Sequence, residues 1–156
     1  MSEQIGIRRA CAADLHPILE LILDCSHRFI LPGLSLQGQE NYLITHSVKK
    51  MTECLEQFEY FVLEDQRGML GGVVGIRPLS HLFHLHVRHD LQGQGWGYKL
   101  WNVARESALS QARIERFTVN SSRFAVPFYE KMGFVMQGEE LRGGVLSFPM
   151  ILELKK

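Results

Sequence analysis

The stretch from Leu85 to Leu100, LHVRHDLQGQGWGYKL, constrains the fold more than any other. A strand ends at Val87, and Gln92-Gly93-Gln94-Gly95-Trp96-Gly97 then turns directly into a helix. Glycine has no Cβ, so this backbone can take unusual dihedrals and approach a ligand closely. The first N–H groups of the helix have no partners within it and stand at the positive end of the helix dipole. Such a turn suits a pyrophosphate, with a plain tight turn as the alternative. A P-loop would need G-x-x-x-x-G-K-S/T, which the chain lacks. A dinucleotide fingerprint would need G-x-G-x-x-G among alternating βαβ units. Here the spacing is G-x-G-x-G, late in the chain, without such units.

Periodicity places the other elements. Ile5 and Ile7 alternate with Gly6 and Arg8 as a short first strand. Asp14 is the expected N-cap of a helix that carries Leu15, Ile18, Leu19, Ile22 and Phe29 at helical spacing. Pro17 is tolerated in its first turn, and Pro32-Gly33 ends it. A second helix is expected from near Gln39 to Phe58, with Ile44, Val48, Met51, Leu55 and Phe58 as its apolar stripe. Tyr60 to Glu64 and Met69 to Ile76 read as a hairpin, followed by a strand from Leu79 to Val87. After the glycine turn a helix runs from about Gly97 to Ala112, with Leu100, Trp101, Ala104 and Ala108 on one face. Phe117 to Val119 is a strand, and Val126 to Met132 a short helix closed by Gly133 in a left-handed cap. Phe134 to Met136 and Val145 to Leu152 are the last strands, joined by a turn near Gly143-Gly144. The order β-α-α-β-β-β-α-β-α-β-β predicts an α+β fold with a mixed, mostly antiparallel sheet of about seven strands. No repeat or linker divides the chain, so residues 1–156 are expected to form a single domain.

Charge and cysteine content narrow the function classes. Lys+Arg and Asp+Glu number 17 each, which weighs against a nucleic-acid partner. Cys11, Cys25 and Cys54 match neither a zinc nor a disulfide framework, so reduced thiols and a cytoplasmic location are expected. The opening MSEQIGIRRA has no apolar signal region, and no apolar run reaches the ~20 residues that cross a bilayer. No membrane partner is expected.

Two blocks carry a family resemblance. Gln92-x-x-Gly95-x-Gly97, after Leu85-x-Val87, resembles the acetyl-CoA loop of the GNAT acetyltransferases. Thr118-Val119-Asn120-Ser121-Ser122, then Ala125, Phe128-Tyr129-Glu130-Lys131 and Gly133-Phe134 are similar to the family's later strand–helix–strand. The order of elements, with paired N-terminal helices, also resembles the family, so the likeness spans essentially the whole chain. It implies a GNAT-like sheet with helices on both faces.

The resemblance further implies an acetyl-CoA-dependent N-acetyltransferase acting on a primary amine. The strands over Leu79 to Val87 and Phe117 to Asn120 would splay, and the pantetheine arm of acetyl-CoA would pair with Leu85, His86 and Val87. Gln92, Gly93, Gln94, Gly95, Trp96, Gly97 and Tyr98 would give backbone N–H groups to the pyrophosphate, whether or not the Trp96 and Tyr98 side chains touch it. The family often has Asn at the position of Ser122, so either Ser122 or Asn120 would contact the pantetheine. Tyr129 matches the general acid, since a phenol holds its proton at neutral pH and can give it to a leaving thiolate. A backbone N–H at the splay, of Val87, would meet the carbonyl oxygen. Histidine titrates in the range useful to a base, and His84 and His81 are the candidates. His84 and His86 should share a strand face, with His81 opposite unless a bulge intervenes.

Two rival readings stay open. His84-x-His86 is a strand geometry that can ligate a metal, although no third ligand stands at a convincing spacing, and no metal is expected. A GNAT-like domain could also bind acetyl-CoA as a sensor without turnover, which the presence of Tyr129 weighs against. The acceptor, whether a small amine or a peptide or protein amine, would be shaped by Cys25 to Gln39 and Glu139 to Ser147. His27, Arg28 and Phe29 either reach that site or belong to a helix end packed on the sheet. A homodimer remains open.

Overall fold

The computed structural model describes residues 5–78 and 80–154. The expected strand start at Leu79 lies outside these residues. The chain begins with β1 (Gly6–Arg9), α1 (Leu15–Phe29), α2 (Leu36–Ile44) and α3 (Val48–Gln57). The central strands are β2 (Glu59–Glu64), β3 (Leu70–Arg77) and β4 (His81–Val87), followed by α4 (Trp96–Gln111). The chain then forms β5 (Arg116–Ser121), α5 (Val126–Lys131), β6 (Val135–Met136), β7 (Glu140–Arg142) and β8 (Val145–Glu153). The sheet order is β1-β2-β3-β4-β5-β8-β6, with β7 paired to β8. Among the described residues only β4 and β5 run parallel.

Successive residues of a strand point to opposite faces, and the sequence uses this to bury both. Tyr60, Val62 and Val73 join Ile18, Ile22 and Met51 in one core, beneath α1 and α3. Phe61, Leu63, Val74 and Ile76 join Leu100, Trp101 and Phe117 in the other, beneath α4 and α5. Continuous apolar runs in β2 and β3 reflect burial on both sides.

The expected helix from Gln39 to Phe58 is two helices. Thr45 Oγ1 donates to the Tyr42 carbonyl at 2.7 Å, and Ser47 Oγ caps α3 by accepting from Lys50 N–H at 3.2 Å. Hydroxyl side chains compete here with the helical ladder and reset its direction. Ile44 and Val48 are consequently 66% and 47% exposed, and only Met51, Leu55 and Phe58 of the expected stripe pack inward. The strand β7 was not expected and raises the count to eight. Asp14 does precede α1, but its carboxylate accepts from Cys11 N–H (2.8 Å) and the Arg8 guanidinium (2.8 and 2.9 Å) instead of capping the helix. Arg8 holds that carboxyl down at about 2. Among the described residues no helix is long and apolar enough to cross a membrane.

Candidate functional site

The sheet opens at its one parallel pair. β4 and β5 are joined only at His81↔Thr118 and Leu82↔Val119, and beyond these they diverge. Phe83 is an extra residue in β4, because Gly75 pairs with His84 while Ile76 pairs with Leu82. The bulge reverses the alternation. Leu82 packs in the α4-side core, and so do Leu85 and Val87, while His84 meets Tyr60 on the α1 side. His81 is thereby brought to the same face as His84.

The backbone of β4 presents a free edge to the gap. In an antiparallel ladder, residues alternately turn their polar backbone groups toward the partner strand and away. Arg88 N–H donates to the Gly71 carbonyl at 2.8 Å, so Arg88 and His86 face β3. Leu85 and Val87 therefore face the gap. The Val87 carbonyl accepts from Gln92 Nε2 (2.9 Å) and Cys25 Sγ (3.4 Å), which ties the strand end to both the glycine turn and α1.

The turn is set by backbone conformation. Gly93 and Gly95 have φ of +78° and +87°, and a Cβ at either would meet nothing within 4 Å. Glycine is called for by left-handed dihedrals at an open surface. Gly95 is the N-cap of α4, so the unpaired N–H groups of that helix stand beside this open backbone. Arg88 anchors the approach, pairing with Asp90 at 2.6 Å and Asp65 at 3.3 Å.

Two cavities meet in the gap. The first, about 470 Å³, runs from the glycine turn along Leu85 and Val87 to Tyr129. Phe29 and Phe124, stacked at 4.4 Å, line it together with Cys25 and Phe128. The second, about 440 Å³, lies between α2, β4 and the β7–β8 hairpin. Leu85, His86, Ser122 and Tyr129 border both. Tyr129 is 4% exposed, and its hydroxyl has no hydrogen-bond partner among the described residues. Burial pushes that phenol well above its ordinary value.

Of the ligand-contacting residues expected from sequence, 85–87, 92, 93, 95–98 and 122 line the first cavity. Gln94 does not, and its side chain donates to the Asp90 carbonyl at 3.3 Å. Asn120 lines the second cavity. His86 borders both cavities, and its backbone faces β3. His84 lines the second cavity, whereas His81 lines neither and bonds Thr118 Oγ1 through Nδ1 at 2.7 Å. Phe29 reaches the first cavity, but His27 and Arg28 are exposed.

Sequence reasoning missed His46, Tyr42 and Asn41, which wall the second cavity from α2 and the break after it. The available signal was Thr45 and Ser47, two cap-forming residues in mid-helix. His46 stacks on Tyr42 at 4.2 Å and lies 5.5 Å from the His84 ring, which lies 6.0 Å from His86. Tyr60 Oη holds His84 Nδ1 at 2.7 Å. Burial pushes all three imidazoles down, His86 to about 4. Among the described residues no group of three or more His, Cys, Asp or Glu side chains is arranged to hold a metal ion.

Residues 30–154 match the family model described as an acetyltransferase (GNAT) domain. The chain belongs to the GNAT acetyltransferase family. No curated protein matches it in sequence. Among solved structures, it is similar to the PaiA N-acetyltransferase of Thermoplasma acidophilum in complex with coenzyme A. That likeness has a TM-score of 0.81 at 16% identity, over 97% of this chain and 99% of that one. A phosphinothricin acetyltransferase of Sinorhizobium meliloti in complex with AcCoA gives 0.69 at 16%, over 96% and 88%. A mutant spermidine N-acetyltransferase SpeG of Vibrio cholerae gives 0.65 at 19%, over 96% and 94%. At these identities the likeness is one of fold.

Proposed function

We propose that the chain, acting as one domain, is an N-acetyltransferase that moves the acetyl group of acetyl-CoA directly onto a primary amine. The observation that carries this reading is the meeting of two cavities at Tyr129, in the gap where β4 and β5 part. The first cavity fits the cosubstrate by its donor set. Leu85 and Val87 offer backbone groups to an amide-bearing arm, and the glycine turn lets phosphates approach the α4 N-terminus without side chains in the way.

Acetyl-CoA supplies an acetyl thioester: the amine nitrogen bonds to the carbonyl carbon, the C–S bond breaks, and a proton passes from amine to thiol. Val87 N–H, turned to the gap, donates to the carbonyl oxygen as it gains charge. Tyr129 gives its proton to the departing sulfur. Burial keeps this phenol protonated, and the same burial strengthens a thiolate as a base. The Cys25 thiol on the wall of that cavity is pushed up to about 11. His84 takes the proton that the amine nitrogen sheds as it bonds. Tyr60 occupies its Nδ1, and Nε2 has no protein partner among the described residues. His81, committed to Thr118, has no part in this scheme.

Calorimetric titration with acetyl-CoA, with NAD as control, tests the cosubstrate. Micromolar binding of acetyl-CoA alone is expected, and no binding would refute the reading of the glycine turn. Single-turnover labelling tests direct transfer: an acetylated enzyme that then passes its label to amine would overturn it.

A further inference from the structure

We propose that the acceptor is a small hydroxyl-bearing amine, an amino sugar in chemical class. The inference rests on the functional reading above and names the substrate for its second cavity.

Size is set by a clasp. A Cβ on Gly38 would lie 2.1 Å from the Gly144 carbonyl oxygen, so α2 and the β7–β8 turn meet backbone to backbone. Asn41 Nδ2 donates to the Gly143 carbonyl at 2.7 Å and fastens the same junction. This junction closes the cavity on that side. The space behind, about 440 Å³, is that of a small-molecule site.

Charge sets the class. Glu140 and Arg142 are the only carboxylate and guanidinium lining this cavity among the described residues, and they are paired with each other. No spare carboxylate remains to hold the second ammonium of a polyamine. The three histidines of the wall lie 5.5 and 6.0 Å apart, ring to ring, and burial disfavours their charged form. Such weak bases take a proton from a nitrogen already bonding to carbon, but not from a free alkylammonium of pKa about 10.4. An amine among electron-withdrawing hydroxyl-bearing carbons, more readily unprotonated, suits such a wall.

Polarity sets the body of the molecule. Asn120 and Ser147 line the cavity, and their side chains have no hydrogen-bond partner among the described residues, so they are available to hydroxyl groups. Phe83, 40% exposed, and the Tyr42–His46 stack offer apolar faces to the C–H side of a ring.

The test measures CoA release with glucosamine, spermidine and a lysine-containing peptide, alongside calorimetric binding of acetyl-CoA. Glucosamine is expected to be preferred in kcat/KM over both others by roughly a hundredfold, the separation two or three satisfied hydrogen bonds supply. Binding of acetyl-CoA with preference for spermidine or peptide, or with no turnover of glucosamine, overturns the acceptor class and leaves the cosubstrate reading standing. Failure to bind acetyl-CoA overturns both. Asn120→Ala, which removes a cavity amide without adding bulk, should raise the KM for glucosamine roughly tenfold at unchanged acetyl-CoA affinity. An unchanged KM would remove Asn120 from acceptor binding and overturn the hydrogen-bonding argument.

Discussion

Tyr60 Oη stands 2.7 Å from His84 Nδ1, and the Tyr60 ring lies in space that a side chain at Gly75 would fill. A Cβ at Gly75 would come within 2.2 Å of that ring. Removing the hydroxyl in Tyr60→Phe leaves a buried ring nitrogen without its partner, at a cost of about 1–3 kcal/mol. The rate should fall roughly tenfold or more if His84 is the base that Tyr60 orients. Gly75→Ala should mimic the defect by moving the ring. Steady-state kinetics with acetyl-CoA affinity as the control decides it, and a normal kcat in Tyr60→Phe would separate His84 from the chemistry.

Tyr129→Phe keeps the ring that packs against Phe134 and Phe128 and removes only the partnerless hydroxyl. Acetyl-CoA binding should persist while kcat drops by roughly ten- to ten-thousand-fold. An unaltered rate would show that the thiolate leaves without this acid.

Gly95 has φ of +87° and opens onto the first cavity. Gly95→Ala should cost about 1–2 kcal/mol through its left-handed backbone alone, since no atom stands in the way of a Cβ. Gly95→Glu adds a negative charge where the pyrophosphate would lie, and should weaken acetyl-CoA binding by roughly a hundredfold or more. Calorimetry on a variant shown by circular dichroism to be folded makes the comparison.

Acid should loosen the protein from its histidine wall. His46, His84 and His86 are held below the ordinary imidazole value by burial, so between that value and the folded pKa the unfolded chain binds more protons. Stability is complete above about pH 6.5 and falls on acidification by up to about 1.4 kcal/mol per pH unit for each such group. For His86 the loss continues down to about 4 and then levels off. His86→Gln should flatten this slope in denaturant melts run between pH 7 and 4. A slope identical to the parent protein would mean that the His86 ring is not buried as a neutral group.

The glycine turn beside the first cavity was legible because its signal is local. Gly93 and Gly95 need left-handed dihedrals, and the strand before them and the helix after them stand adjacent in sequence. The second cavity was not, because its parts are distant in sequence and each is weak alone. His46 sits in a helix break fixed by two hydroxyl side chains, and β7 is a three-residue strand stabilised by pairing with β8. Gly38 and Gly144 gain their meaning only by meeting, 106 positions apart (144 minus 38). The placement of His81 depended on a bulge that nothing in HLFHLHV marks.

That bulge makes Phe83 a frame-setting residue. Ahead of it the even positions of β4 belong to the α4-side core, and after it the odd ones do. Flattening the bulge so that Phe83 enters the ladder would instead run the alternation unbroken through 83. If β4 kept its downstream register, His81 and Leu82 would trade sides, dropping an imidazole into the apolar core beside Phe117 and pulling Leu82 out of it. The upstream half of the strand, which carries the only two rungs joining β4 to β5, would then be the half that fails. The bulge thus lets a strand of this sequence line the second cavity with imidazoles while still sealing the seam from which the two strands part.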